Sequence, residues 1–344
     1  MPNLNTPLLL LVFHRPEETA RVFAAIRAHQ PRQLFIAGDG PRTTHATDVE
    51  LVRLTRDIVT KVDWPCEVQT LFHESNLGCG KAVSRAISWF FSQVEAGIIL
   101  EDDCLPHADF FPYCETLLAR YRDDPRVATI GGTHCLPASL SHEQTHYASK
   151  YFQMWGWASW RRVWQHYDFK LENLAEDEWV ALLARTHPIT VEASYWHQIY
   201  QALKGGLIDT WDFQMFFTCW RIGGQHIMPS KNLVSNIGHG PNATHTNFAS
   251  PMACLPTHAL SIDAREIDLT PNSEVDNLVF YLRFLESMTQ TWWIDQVLCT
   301  EQKLGQTRLE LVKKDRKIQQ LEQEVIAKRK QLLDATRALT AQLP

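Results

Sequence analysis

Apolar and polar positions switch between two periods along the first hundred residues. Leu8-Leu-Leu-Leu-Val-Phe13 is an unbroken apolar run, the pattern of a strand buried on both faces. Pro16 then opens a stretch with Val22, Phe23 and Ile26 at helical spacing. Gln33-Leu-Phe-Ile-Ala37 predicts a second strand, and Gly38-Asp39-Gly40-Pro41 a turn at its end. A helix is predicted from Thr47 to Val62, a third strand from Glu67 to Phe72, and a third helix from Gly78 to Val94. Gly97-Ile-Ile-Leu100 completes a fourth strand and runs straight into Glu101-Asp102-Asp103. Repeated strand–helix units imply a parallel sheet with helices on both faces. Ligands of such sheets bind beyond the carboxyl ends of the strands. His14-Arg15, Asp39, the Asn76–Lys81 loop and the acidic triplet all fall there.

The last forty-four residues follow a different rule. Leu304, Leu311, Ile318, Val325, Leu332 and Leu339 recur every seventh position, one seam of a coiled coil. Three positions further on, the second seam reads Thr307, Lys314, Leu321, Lys328, Ala335 and Gln342, too polar for a strong pair. Two readings stand: a solvated helix docking by one stripe, or a modest homo-oligomer through the C-terminal helix. The expected organisation is therefore 1–105 and 106–265 as two halves of one α/β domain, 266–300 as a helical segment, and 301–344 as a coiled-coil tail.

Composition narrows the function. The chain has 344 residues, 45% apolar and 21% charged, an ordinary globular balance. Thirty-three basic and 39 acidic residues give −6, without the basic excess of a nucleic-acid binder. The tail carries ten basic and six acidic residues, so residues 1–300 hold a charge of −10. No apolar run approaches the length of a membrane helix, and the eight cysteines show no CxxC pair. The expected location is cytoplasmic, with a peripheral membrane association left open.

No GxGxxG follows the first strand, and no P-loop occurs anywhere. The ligand edge offers carboxylates instead. A diphosphate beside Asp102 and Asp103 requires a divalent cation between them, and hard oxygen ligands suit Mn²⁺ or Mg²⁺. Further along, Ile208-Asp209-Thr210-Trp211-Asp212 places two acids before an amphipathic helix. Either is an N-cap or a general base. Residues 155–220 hold eight of the twelve tryptophans, most of them assigned here to packing. Trp155 and Trp157, flanking Gly156, are the candidates for an acceptor cleft. Ser235–Thr246 is a polar loop with Gly238, Gly240, His239 and His245, of which His245 is the candidate donor-site or metal ligand.

A strand, then Glu-Asp-Asp, then Ala108-Asp-Phe-Phe-Pro-Tyr113 opening a helix resembles the GT-A glycosyltransferases, the type that includes N-acetylglucosaminyltransferase I and bacterial nucleotide-diphospho-sugar transferases. The resemblance spans about residues 7–248. It implies a Rossmann-like, mostly parallel sheet and transfer of a sugar from a UDP-sugar to a glycan, lipid-linked or protein acceptor, with inversion. By the same resemblance Arg15 lies near the nucleotide, Asp39 accepts from the uracil N–H, and Asp103 ligates the metal. Glu101, Asp102 and Lys81 belong to the donor site. Tyr151–Trp157 resembles the element bordering the acceptor, and Thr210-Trp211-Asp212 the segment with the base, which selects Asp212. Pro229–Gly240 resembles the strand and loop over the donor.

Two rivals remain from the sequence. A nucleotidyltransferase making the sugar nucleotide would want a basic, glycine-rich loop after the first strand, and His14-Arg15-Pro16-Glu17 is not one. The other is a non-catalytic sugar-binding scaffold presented by the tail.

Overall fold

In the computed structural model, residues 3–136, 144–238, 254–262 and 267–285 are described, with nine helical positions between 313 and 328. Strand β1 (Leu8–Val12) is buried along its whole length and lies at the centre of the first half of the sheet. It pairs in parallel with β2 (Gln33–Gly38) on one side and β4 (Ala96–Glu101) on the other. Beyond β2 lies β3 (Glu67–Phe72), also parallel. It is an edge strand, which explains why its alternating residues stay largely exposed. The full order is β3-β2-β1-β4-β8-β6-β9-β7, with β6 at Val127–Gly131, β7 at His146–Ser149, β8 at Trp157–Trp160 and β9 at Gln225–Pro229. Strands β8 and β7 run antiparallel to their neighbours, so the sheet is mixed and mostly parallel.

Helix α1 (Pro16–His29) starts as the sequence predicts, with Pro16 at its first turn, followed by Glu17 and Glu18. Val22, Phe23 and Ile26 face the sheet. Helices α2 (Asp48–Val59) and α3 (Cys79–Gln93) begin and end within three residues of the expected limits. The β1→β2→β3 crossovers move one way along the sheet and β3→β4 moves back. Right-handed connections therefore put α1 and α2 on one face and α3 on the other. That reversal creates a topological switch point between β1 and β4.

The second half supplies α4 (Phe110–Arg120), α5 (Arg161–Trp164), α6 (Glu176–Thr186), α7 (Thr190–Lys204) and α8 (Asp212–Ile222). A short ladder joins β5 (Cys104–Pro106) to β10 (Val234–Asn236). Helix α9 (Ser273–Phe280) falls in the expected helical segment and is continued by a π-helical turn at Tyr281–Leu285. Strand β4 pairs with β8, so the two halves divided at residue 105 share one sheet. Met1–Arg283 form one compact unit and Phe284–Pro344 a second. The heptad residues of the first tail seam lie outside the described residues. In the second seam, Leu321 is half exposed, and Lys314 and Lys328 are exposed. Among the described residues, no helix is long and apolar enough to cross a membrane.

Candidate functional site

The carboxyl ends of β1 and β4 meet at the switch point, where polar groups from distant segments converge. Asp102 accepts the Phe13 N–H through Oδ2 at 2.9 Å. Arg15, the residue that leads into α1, reaches Asp102 Oδ1 at 3.2 Å and Asp103 Oδ2 at 2.6 Å. Both aspartates are buried. Burial works against the Arg15 charge, yet the two carboxylates hold its pKa above the ordinary arginine range. Glu101, partly buried beside them, is pushed well above the usual carboxylate range by burial and by Asp103 and Asp102. Asp102 is raised by burial in spite of Arg15. This crowding of acid at one strand end is what the triplet predicts, and Arg15 is the cation paired with it.

The 235–246 loop begins against the same acids. Ile237 donates its N–H to the Asp103 carbonyl at 2.8 Å, as β10 leaves its ladder with β5. Any Cβ at Gly238 would collide with the Asp103 carboxylate, so glycine is required for the approach. His239 and His245 lie outside the described residues.

Asp39 sits at the end of β2, also buried. Its oxygens accept from the Gly40 N–H at 2.8 Å, the Leu77 N–H at 2.9 and 3.0 Å, and Asn76 Nδ2 at 2.9 Å. A carboxylate offers about four lone-pair sites, so the chain's own donors nearly fill it. The interaction that the structure gives Asp39 is thus the anchoring of the 76–78 loop. Close by, Arg42 is clamped by Asp48 and lies over the Phe13 ring, its centre 5.4 Å from the centroid. His14 beside it is kept neutral, its pKa lowered to about 4 by burial and by Arg42.

The two acids of the 209–212 segment separate cleanly. Asp209 accepts the Gly80 N–H at 3.0 Å, at the amino end of α3. It acts as a cap, supplied from another part of the chain. Asp212 opens α8 and accepts from Thr210 Oγ1 and, at 2.9 Å, from its neighbour's N–H at Phe213. It interacts electrostatically with Glu101, Cys79, Tyr167 and Arg283. Asp212 thus lies within electrostatic reach of Glu101 at the end of β4, while Lys81 is exposed in the first turn of α3.

The tryptophan-rich stretch is corrected in one respect. Seven of the eight tryptophans are buried, Trp157 at 1% exposure, and only Trp155 is half-buried. Trp157 stacks on Trp211, ring centroids 5.7 Å apart and 19° from parallel, and meets Phe152 edge-on. It packs the core as part of β8 and has no face for a sugar. Gly156 has φ of +65°, and a Cβ there would lie 2.7 Å from Val234 Cγ2, so it is a backbone requirement of this corner. Trp155 alone keeps the acceptor candidacy. Its ring carries the guanidinium of Arg283, 5.4 Å from the centroid. Arg283 lies beyond the span of the resemblance, and no motif singles it out.

Carboxylates are the right donors for Mg²⁺ or Mn²⁺, which usually take one or two from protein and the rest from phosphate and water. Among the described residues, no three Asp, Glu, His or Cys side chains converge as a metal cage. Asp102 and Asp103 offer the hard oxygen donors that such an ion takes.

No known family's sequence profile matches the chain, and no curated protein matches it. Several solved structures resemble it slightly. UDP-glucose pyrophosphorylase complexed with UDP-glucose aligns at 8% identity over 65% of this chain and 90% of its own, TM-score 0.32. The inositol-1-phosphate CTP transferase from T. maritima aligns at 8% identity over 51% and 77%, TM-score 0.31. HddC from Yersinia pseudotuberculosis aligns at 10% identity over 50% and 86%, TM-score 0.30. None of these is named as a glycosyltransferase. Likenesses this slight carry neither fold nor activity across to this chain, whose architecture rests on its own sheet order.

Proposed function

We propose that this protein is a metal-dependent glycosyltransferase that moves a sugar from a nucleotide-diphospho-sugar, a UDP-sugar by preference, to an acceptor hydroxyl with inversion. The observation that carries the reading is the meeting of Asp102 and Asp103 at the β1/β4 switch point with Asp212 nearby. Acids for a cation–diphosphate and an acid for an acceptor proton then lie on one edge of the sheet.

In this reading Asp103 holds the cation, with His245 as the candidate second ligand. A bound Mn²⁺ or Mg²⁺ would neutralise charge on the departing diphosphate. The residues of the chain do the rest. Arg15 orients both aspartates and adds positive charge beside the phosphates. Asp39 and the loop it anchors form the wall against which the base lies. Glu101 and Asp102 approach the ribose and sugar hydroxyls, and Lys81 the diphosphate. Asp212 accepts the proton from the acceptor hydroxyl as that oxygen attacks the anomeric carbon and the sugar–phosphate bond breaks. Gly156 lets Trp155 border the acceptor, whether glycan, lipid-linked or protein.

The rival nucleotidyltransferase reading is less well supported by the first loop. It passes from β1 to α1 in three residues without glycine, and its arginine is held by the aspartates. A thermal-shift panel of sugar nucleotides with Mn²⁺, followed by assays of UDP release and of pyrophosphate exchange, tests the choice. UDP release without exchange supports glycosyl transfer. Exchange of pyrophosphate into the sugar nucleotide overturns it.

A further inference from the structure

We infer that the free edge of strand β3 joins a second copy of this chain, so that two sheets continue into one another across a two-fold axis at Thr70. The inference is independent of the reaction proposed above, because none of the residues it uses belongs to the switch point.

The backbone sets the register. β3 is the outermost strand of its sheet and pairs with β2 alone. Glu67 donates its N–H to the Arg32 carbonyl at 2.8 Å, and His73 donates to the Gly38 carbonyl at 3.0 Å. Successive residues of a strand turn their backbone groups to opposite sides. Residues 67, 69, 71 and 73 thus spend theirs on β2, and Val68, Thr70 and Phe72 present theirs outward. Among the described residues, no hydrogen bond reaches these outward groups. The devices that usually blunt an edge are missing here. Glu67-Val-Gln-Thr-Leu-Phe72 holds no proline and no lysine, and its register with β2 runs without a bulge. Residues 67 to 70 are exposed, Val68 at 40%.

A copy of the same strand complements this edge when the two run antiparallel about Thr70. Hydrogen-bonded pairs of an antiparallel ladder form between residues that both face the joint. Centring on Thr70 meets that condition at all three outward positions. Val68 of each copy meets Phe72 of the other, and Thr70 meets Thr70, so each outward N–H gains a carbonyl. The side chains agree with the backbone. Val68 and Phe72 make an apolar pair on the face where Arg56 lies over the Phe72 ring, 4.7 Å from its centroid. The two threonine hydroxyls meet on the axis. On the opposite face the Glu67 carboxylate meets the imidazole of His73, so the one acid of β3 never faces its own copy. Such an interface is self-complementary, as a two-fold dimer requires. Because the paired strands are antiparallel, the carboxyl edges of the two sheets open in opposite directions, and each switch point stays clear of the joint.

Sedimentation equilibrium of the full-length chain over a range of concentrations measures the dimer. Thr70→Lys sets like charges against each other on the axis, while the β2 ladder, which does not use Thr70, is left intact. We expect its dimer Kd to be about tenfold or more above that of wild type, with the melting temperature unchanged. Two further variants test the register. The Cα atoms of a hydrogen-bonded pair lie about 5.5 Å apart, within disulfide reach, so mild oxidation should link two copies of Thr70→Cys. It should not link Val68→Cys, whose counterpart lies four residues along the strand, about 13 Å away. If Thr70→Lys melts lower than wild type, the two cysteine variants decide alone. A wild type that stays monomeric overturns the inference and leaves the edge to another protein's strand or to solvent. A Thr70→Lys protein that dimerises as tightly as wild type overturns it and leaves self-association to the tail. Linkage of Val68→Cys as fast as Thr70→Cys overturns the register and the axis with it.

Discussion

The Asp209 carboxylate caps helix α3 from 129 positions away, accepting the Gly80 N–H at 3.0 Å. A Cβ at Gly78 would lie 2.6 Å from its Oδ2, so that glycine makes room for the acid. Asp209→Ala should therefore act on stability, costing about 1–2 kcal/mol as the loss of a helix cap does. A urea midpoint unchanged from wild type would show that the cap contributes nothing.

Asp212 carries the opposite expectation. Its place at the start of α8, within electrostatic reach of Glu101, makes it the candidate base, and general bases contribute on the order of 10²–10⁴-fold. Asp212→Asn should slow UDP release by that range while UDP–Mn²⁺ affinity and melting temperature stay near wild type. Retention of most of the turnover would leave the proton to another acceptor.

Asp39 binds three N–H donors of its own chain. Asp39→Ala would strand them in a buried corner, and about 3 kcal/mol of stability should be lost with the order of the 76–78 loop. Chemical denaturation measures the loss, and hydrogen exchange at Leu77 reports the loop. Slow exchange at Leu77 in the variant would show that other groups hold this loop.

Asp276 anchors α9 to the end of β7, and the anchor makes stability depend on pH. Burial pushes Asp276 up to about 6 from 3.8, against hydrogen bonds from Ser149 and Lys150 and the Lys150 charge; Glu192 adds to the rise. Around the anchor, Lys150 pairs with Glu192, and Glu192 with His187, which burial keeps neutral. An acid with a raised folded-state pKa binds protons more readily when folded. Its contribution is thus most favourable below the unfolded value and is lost as pH rises through the folded one. About 3 kcal/mol should disappear between about pH 4 and pH 6, then no more. Asp276→Asn should flatten that part of the profile relative to wild type. Parallel unfolding curves for the two proteins across that window would rule the anchor out as its source.

The first half of the fold was legible because each period had a single cause. Leu8–Val12 is apolar throughout since helices cover both faces of β1, and Pro16 starts α1 where its missing N–H costs nothing. The second half was not legible in this way. Strands β6 to β9 are four or five residues long and pair across long gaps, too short for a period to show. At the site, the triplet placed Asp102 and Asp103 correctly at a strand end. Trp155 and Trp157 flank Gly156 alike, yet Trp157 turns into the core against Phe152 and Trp211 while Trp155 stays half-buried. Strand alternation sends residues 155 and 157 the same way, but β8 begins only at Trp157. Nor did any pattern announce that Asp209 would cap a distant helix, or that Arg283 would reach Trp155. Such pairings are made by tertiary packing alone.

The central claim is that the β1/β4 switch point binds a nucleoside diphosphate through a cation on Asp103. Calorimetric titration of UDP into wild type and Asp103→Asn, each with and without Mn²⁺, tests it most directly. Asparagine keeps the size of the side chain but removes its charge, so it should weaken metal ligation and the pair with Arg15 together. UDP binding to wild type should depend on Mn²⁺ and fall by about tenfold or more in the variant, with the fold intact. Equal Mn²⁺-dependent affinities for the two proteins would contradict it.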